Sequence, residues 1–174
     1  MKKYKFIINR LNITYKNSKI LEELKEYMIK KKITFSYEYS KGSNDTTKIA
    51  RNSSKKIYDV IVACGGDGTV RDVVNGIVNS NMTLAILPLG TSNDFAKHLE
   101  LDNIKNATQS LFNGRKIKID LGLVKLLPSN KKIYFCSTSG IGFDAKLLKL
   151  NKKKYFLAIK RLIGNSAYIL FSLL

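Results

Sequence analysis

One spelling occurs twice in this chain and constrains it more than any other feature. Gly68-Thr69-Val70-Arg71-Asp72 and Gly90-Thr91-Ser92-Asn93-Asp94 both read G-T-x-x-D, and each follows a short apolar run and opens a helical pattern. A strand that ends in a glycine turn and starts a helix gathers unpaired N–H groups and the positive end of the helix dipole at one spot. Two such loops, at the carboxyl ends of two strands of an open parallel sheet, face one crevice. The first, Gly65-Gly66-Asp67-Gly68-Thr69, lets backbone come close to phosphate oxygens. Thr69 and Asp72 form a T-x-x-D capping pattern, which predicts that the helix begins at Thr69. Asp67 and Asp94 would set carboxylates beside the phosphates, an arrangement that calls for Mg²⁺. A single glycine turn would only reverse the chain; the matched pair points to a nucleotide phosphate site.

The rest of the chain supplies the scaffold such loops need. Strand patterns over 4–8, 33–39, 59–63 and 83–87 alternate with helical patterns over 19–31, 46–56, 69–78, 94–99 and 103–112. Repeated strand–helix units predict an α/β fold, a three-layer parallel-sheet nucleotide-binding domain. The pattern changes after Gly114. Strands over 116–127 and 132–138 flank a Pro128-Ser129-Asn130 turn, a hairpin signal, and a Lys-rich helical stretch runs from 144 to the end. The expected division is residues 1–114 as the α/β domain and 115–174 as the incomplete start of a second.

Composition narrows the function classes. The formal charge is +18, with 31 Lys and Arg against 13 Asp and Glu. Residues 1–114 contribute +7 and residues 115–174 contribute +11. Such an excess suits anionic membranes, phosphate ligands or nucleic acid, but no nucleic-acid recognition motif is present. The basic, apolar stretch 146–174 is read as a peripheral membrane contact or a helix meant to pack on a further domain. Uninterrupted apolar runs reach five residues, far short of the ~20 of a membrane span. The N-terminus carries no signal-peptide core, so a cytoplasmic location is expected, with peripheral contact at the inner membrane surface left open. One histidine, His98, cannot build a His-based metal site, and Cys64 and Cys136 sit in apolar runs as core residues.

At the paired loops the chain resembles a known family. Gly65-Gly66-Asp67-Gly68-Thr69 with Val73-Val74-Asn75-Gly76-Ile77, then Leu87-Pro88-Leu89-Gly90-Thr91-Ser92-Asn93-Asp94-Phe95-Ala96, resembles the diacylglycerol kinase catalytic domain. That family of lipid kinases includes the sphingosine and ceramide kinases and shares its fold type with NAD kinases and phosphofructokinases. The loop from Gly90 to Ala96 is of the lipid kinase type and speaks against NAD kinase. Ile119-Asp120-Leu121-Gly122 and Ser139-Gly140-Ile141-Gly142-Phe143-Asp144-Ala145 look like the entry into the family's C-terminal β-sandwich domain.

The resemblance implies transfer of the γ-phosphoryl of ATP, with Mg²⁺, to a lipid hydroxyl such as that of diacylglycerol. It implies that Gly65, Gly66, Gly68, Thr69, Asp72, Gly90, Thr91 and Asn93 surround the nucleotide. Ser40 stands where the family usually has Thr, and Asn9 where it has the Asn of an N-P-x-x-G loop. Asp67, Asp94 and Asp120 resemble the acidic residues of a Mg²⁺ network. The chain departs from the family in two places: Arg10 replaces the Pro after Asn9, with no glycine before Gly42, and Asp72 stands where Glu is common. The family's general base lies beyond residue 174, so the expectation is a truncated kinase of reduced or no activity, or a nucleotide-binding remnant or partner subunit. A homodimer is left open.

Overall fold

The computed structural model describes residues 2–142 together with 145, 146 and 149. The described chain runs β1 (Tyr4–Asn9), a single 3-10 turn (Arg10–Asn12), α1 (Tyr15–Lys30), β2 (Phe35–Ser40), α2 (Ser43–Ser53), β3 (Val60–Gly65) and α3 (Asp67–Ile77). It continues with β4 (Thr83–Pro88), α4 (Asp94–His98), α5 (Ile104–Asn113), β5 (Gly122–Leu126) and β6 (Lys131–Phe135).

The first four strands form one parallel sheet in the order β2-β1-β3-β4. The chain leaves β1 to one side for β2 and returns to its other side for β3. Strand order therefore reverses between β1 and β3, and the crevice outside their carboxyl ends is where open α/β sheets bind ligands. Helices cover both faces, which is why β3 is buried along all six residues and reads as a continuous apolar run. On one face Tyr4, Phe6, Ile8, Val62 and Cys64 pack with Leu21, Leu24 and Met28 of α1 and Ala107 and Leu111 of α5. On the other, Ile7, Ile61, Ala63 and Ile86 pack with Ile49 and Ala50 of α2, Val70, Val73 and Val74 of α3, and Phe95 of α4. The three-layer α/β architecture expected from the alternating patterns is the one observed.

Some element ends differ from the pattern reading, each for a nameable reason. The helix α1 starts at Tyr15 because Thr14 caps it, its Oγ1 accepting from the Asn17 amide at 3.2 Å. α2 spans Ser43–Ser53, three residues earlier than expected, with Gly42 as its N-cap. α3 begins at Asp67, with Gly66 as its N-cap, and not at Thr69. The expected long strands after Gly114 reduce to an antiparallel hairpin, Gly122 opposite Phe135 and Leu126 opposite Lys131; residues 115–121 are irregular.

The change from parallel to antiparallel pairing falls after Gly114, yet close packing continues past it. The Asn75 side chain of α3 donates to the Tyr134 carbonyl at 2.8 Å and accepts from the Tyr134 amide at 2.9 Å. An amide side chain thus stands in for a neighbouring strand, and the first compact unit reaches Ser137. In the second unit, Thr138–Leu174, the Lys146 amide donates to the Gly142 carbonyl at 3.0 Å. The Lys-rich stretch read as a membrane contact lies, apart from Lys146 and Lys149, outside the described residues.

α2 and α3 cross at Gly76. A Cβ there would lie 2.5 Å from the Ala50 Cβ, 2.7 Å from the Thr47 carbonyl oxygen and 2.9 Å from the Arg51 nitrogen. Two of these atoms are backbone, so the helices themselves must part. Gly76→Ala should cost about 2 kcal/mol despite alanine's better helix propensity. That is a fall of roughly 4–8 °C in melting temperature for a chain of this size, and an unchanged Tm would refute the tight crossing.

Candidate nucleotide-binding site

The two glycine loops meet backbone to backbone at the carboxyl edge of the sheet. A Cβ on Gly90 would sit 2.4 Å from the Gly66 Cα and 2.9 Å from the Gly66 nitrogen, closer than any side chain permits. The β4–α4 loop is closed by Asn93, which adopts the left-handed region at φ 51°. Its Oδ1 accepts from the Gly90 amide at 3.1 Å, and its Nδ2 donates to the Gly90 carbonyl at 2.8 Å. Asparagine is among the few side chains that tolerate this conformation.

α4 has no side-chain cap from its own N-cap residue. The cap comes from α3: Asp67 Oδ2 accepts from the Asp94 amide at 3.1 Å and Oδ1 from the Phe95 amide at 3.0 Å. A carboxylate on two first-turn amides satisfies orphan donors and complements the helix dipole at once. Asp67 is therefore a brace between the loops. The third strand is tied in by Asn9, whose Nδ2 donates to the Thr69 Oγ1 at 3.1 Å while its Oδ1 accepts from the Leu11 amide at 3.0 Å. Gly65 leaves the room for Thr69, since a Cβ there would lie 2.3 Å from that same Oγ1.

The first turn of α3, by contrast, is left open. Its N-cap, Gly66, offers no side-chain acceptor, and among the described residues nothing accepts from the amides of Asp67 and Gly68. Gly68 is exposed, and no atom lies within 4 Å of where its Cβ would be. Thr91 is also exposed, on the facing loop.

Three expected site residues have side chains held within the fold, and a fourth is exposed. Thr69 is buried, and its hydroxyl is held by Asn9. Ser40 is wholly buried and accepts from the Thr46 hydroxyl at 2.8 Å, so its side chain serves the β2–α2 junction. Asp72 neither caps α3 nor reaches its amides; Arg71 donates to its Oδ1 through Nε at 3.1 Å and Nη2 at 2.7 Å. Asp120 is exposed in the irregular stretch before β5.

The acidic triad does not assemble either. Both Asp67 oxygens are taken by amides, and the Asp94 carboxylate lies 3.7 Å from Lys97 Nζ. Among the described residues no three His, Cys, Asp or Glu side chains converge as metal ligands.

Neither cysteine is poised as a nucleophile. Burial pushes the Cys64 thiol well above its ordinary value. Burial, with a smaller contribution from the Asp67 charge, also raises that of Cys136.

The sequence profile of the diacylglycerol kinase catalytic domain matches residues 3–124. The chain belongs to that family. Diacylglycerol kinase of Bacillus subtilis strain 168 is 33% identical over 132 residues, covering 74% of this chain and 40% of the relative. Diacylglycerol kinase of Staphylococcus saprophyticus is 39% identical over 92 residues, covering 51% and 30%. The crystal structure of a diacylglycerol kinase from Bacillus anthracis superposes with a TM-score of 0.59 at 26% identity, covering 69% of this chain and 46% of that one. The chain thus spans less than half the length of these relatives.

On α3, behind the first loop, two residues have roles that the sequence did not reveal. Arg71 links α3 to the start of α2 through Asp72 and, at 3.4 Å, the Ser43 hydroxyl. Asn75 was visible in the family motif but its task was not, because Tyr134 lies 59 residues away.

Proposed function

We propose that this diacylglycerol kinase-family chain binds ATP at the open first turn of α3 and forms the nucleotide-binding part of a lipid kinase. The reaction is transfer of the γ-phosphoryl to a lipid hydroxyl such as that of diacylglycerol. The observation that carries the reading is Gly68. A glycine in a helix costs up to about 1 kcal/mol relative to alanine, and neither a close neighbour nor a positive φ accounts for it here. Its bare amide, beside that of Asp67 and opposite Thr91, suits a phosphate that must approach the backbone. Phosphoryl transfer is catalysed mainly by positioning and charge stabilisation, and the braced loops suit that demand. Mg²⁺ enters this reading as the counter-ion of the ATP phosphates. No described residue is given the role of general base.

Gly68→Ala separates the site from the fold. The variant should melt at or slightly above the wild-type temperature, since alanine favours the helix and meets nothing. Saturating ATP with Mg²⁺ should raise the wild-type Tm by roughly 5–10 °C, as expected for ligand at about 100 times its Kd. The variant should lose most of that rise, its methyl occupying the face the phosphate approaches. A full rise in the variant would overturn the assignment.

A further inference from the structure

The geometry points to Arg10, held in place by Tyr39, as a phosphate-binding side chain that takes over where the first strand's loop lacks glycine. This rests on the ATP-binding reading above. The β1–α1 connection has no glycine to open a backbone cradle; it folds instead into a 3-10 turn. Asn9 fixes that turn by accepting from the Leu11 amide, and the Ile13 amide donates to the Arg10 carbonyl at 3.2 Å. The same Asn9 donates to Thr69 beside the open amides of α3, so Arg10 follows directly after a residue anchored to that first turn.

The guanidinium itself lies over the Tyr39 ring, 5.9 Å from its centroid. Tyr39 is the penultimate residue of β2, in the sheet position just before the Asn9–Ser40 pair, at the same carboxyl edge. It is supported from below by Tyr37, edge to face at 5.9 Å, which is in turn covered by Lys25 at 4.2 Å. The two cations of this ladder differ. Lys25 is spent on Glu22 at 2.7 Å, whereas among the described residues no carboxylate pairs with Arg10. Arg71 is committed to Asp72. An aromatic face restrains an arginine without neutralising it, leaving its planar fork of donors free for phosphate oxygens.

The test measures binding of AMP, ADP and ATP, each with Mg²⁺, to the wild type and to Arg10→Ala, Arg10→Lys, Tyr39→Ala and Tyr39→Phe. The wild type should bind more tightly as phosphates are added. Arg10→Ala should lose about tenfold for ATP and little for AMP, the size expected of one charge-assisted contact. Arg10→Lys should recover part of the loss. Tyr39→Ala should weaken ATP in the same phosphate-dependent way, and Tyr39→Phe, which keeps the ring, should restore it. Equal losses for all three nucleotides, or ATP affinity within about twofold of wild type in Arg10→Ala, would overturn the role of Arg10 and leave ATP binding intact. A wild type that binds none of the three at millimolar concentration would overturn both readings together.

Discussion

Gly90→Ala should lower the melting temperature by roughly 6–12 °C and abolish the response to nucleotide in the same variant. The added methyl would fall 2.4 Å from the Gly66 Cα, 2.7 Å from Asn93 Oδ1 and 2.9 Å from the Gly66 nitrogen. Two of these atoms are backbone of the facing loop, and the third is the side chain that closes the Gly90 loop itself. Relief therefore requires the loops to separate and the Asn93 hydrogen bonds to break together. An overpacked site of this kind costs about 3 kcal/mol, which for a chain of this length gives the stated fall. Differential scanning fluorimetry with and without ATP and Mg²⁺ reads both effects. A variant that melts like the wild type would mean that the loops do not touch. The contrast with Gly68→Ala is the informative part: two glycines in matching loops, one required by the fold and the other with open space where its Cβ would be.

Asp67→Ala should destabilise the chain by about 2–3 kcal/mol through α4. It removes the acceptor of two consecutive amides, those of Asp94 and Phe95, in a helix with no cap from its own N-cap residue. Hydrogen bonds to a charged group contribute about 1.5–3 kcal/mol each, and two on one carboxylate do not simply add. Asp67→Asn, which keeps one oxygen, should lose less. Hydrogen exchange localises the effect: the amides of Asp94 and Phe95 should exchange faster, while those of β1 and β3 keep their protection. If the residue served a metal and nothing else, exchange at α4 would not change in the absence of metal. Protection at Asp94 and Phe95 that survives Asp67→Ala would refute the brace.

The fold was legible because its strongest determinants are local. The unbroken apolar run of β3, the shorter runs of β1 and β4 and the helical spacings between them each sit in one window of sequence. The glycine loops were legible for the same reason, and they belong where the pattern put them, at the carboxyl ends of β3 and β4. What local pattern could not reach was the direction of side chains whose partners are distant. Thr69 reads as a cap for its own helix, but its hydroxyl is claimed by Asn9, 60 residues earlier. Asp67 reads as a metal ligand, and the pattern gives no sign that its oxygens also accept from the amides of α4, 27 and 28 residues on. Asp72 reads as a phosphate neighbour, and its pairing with the adjacent Arg71 is not visible in the pattern. The strand pattern after Gly114 is longer than its hairpin because alternation continues where, among the described residues, no strand pairs with it.

The bracing of the loops has a mechanical consequence. Between β3 and β4 the rim of the crevice is welded by a glycine–glycine contact, a shared carboxylate and the closed Asn93 ring of hydrogen bonds. Between β1 and β3 it is pinned by the Asn9–Thr69 hydrogen bond. The β1–α1 turn is also tied to the β4–α4 loop by Asn17, whose Nδ2 donates to the Asn12 carbonyl at 2.6 Å and the Leu89 carbonyl at 3.2 Å. With all three loops cross-linked in this way, strain introduced at one should pass to the other two.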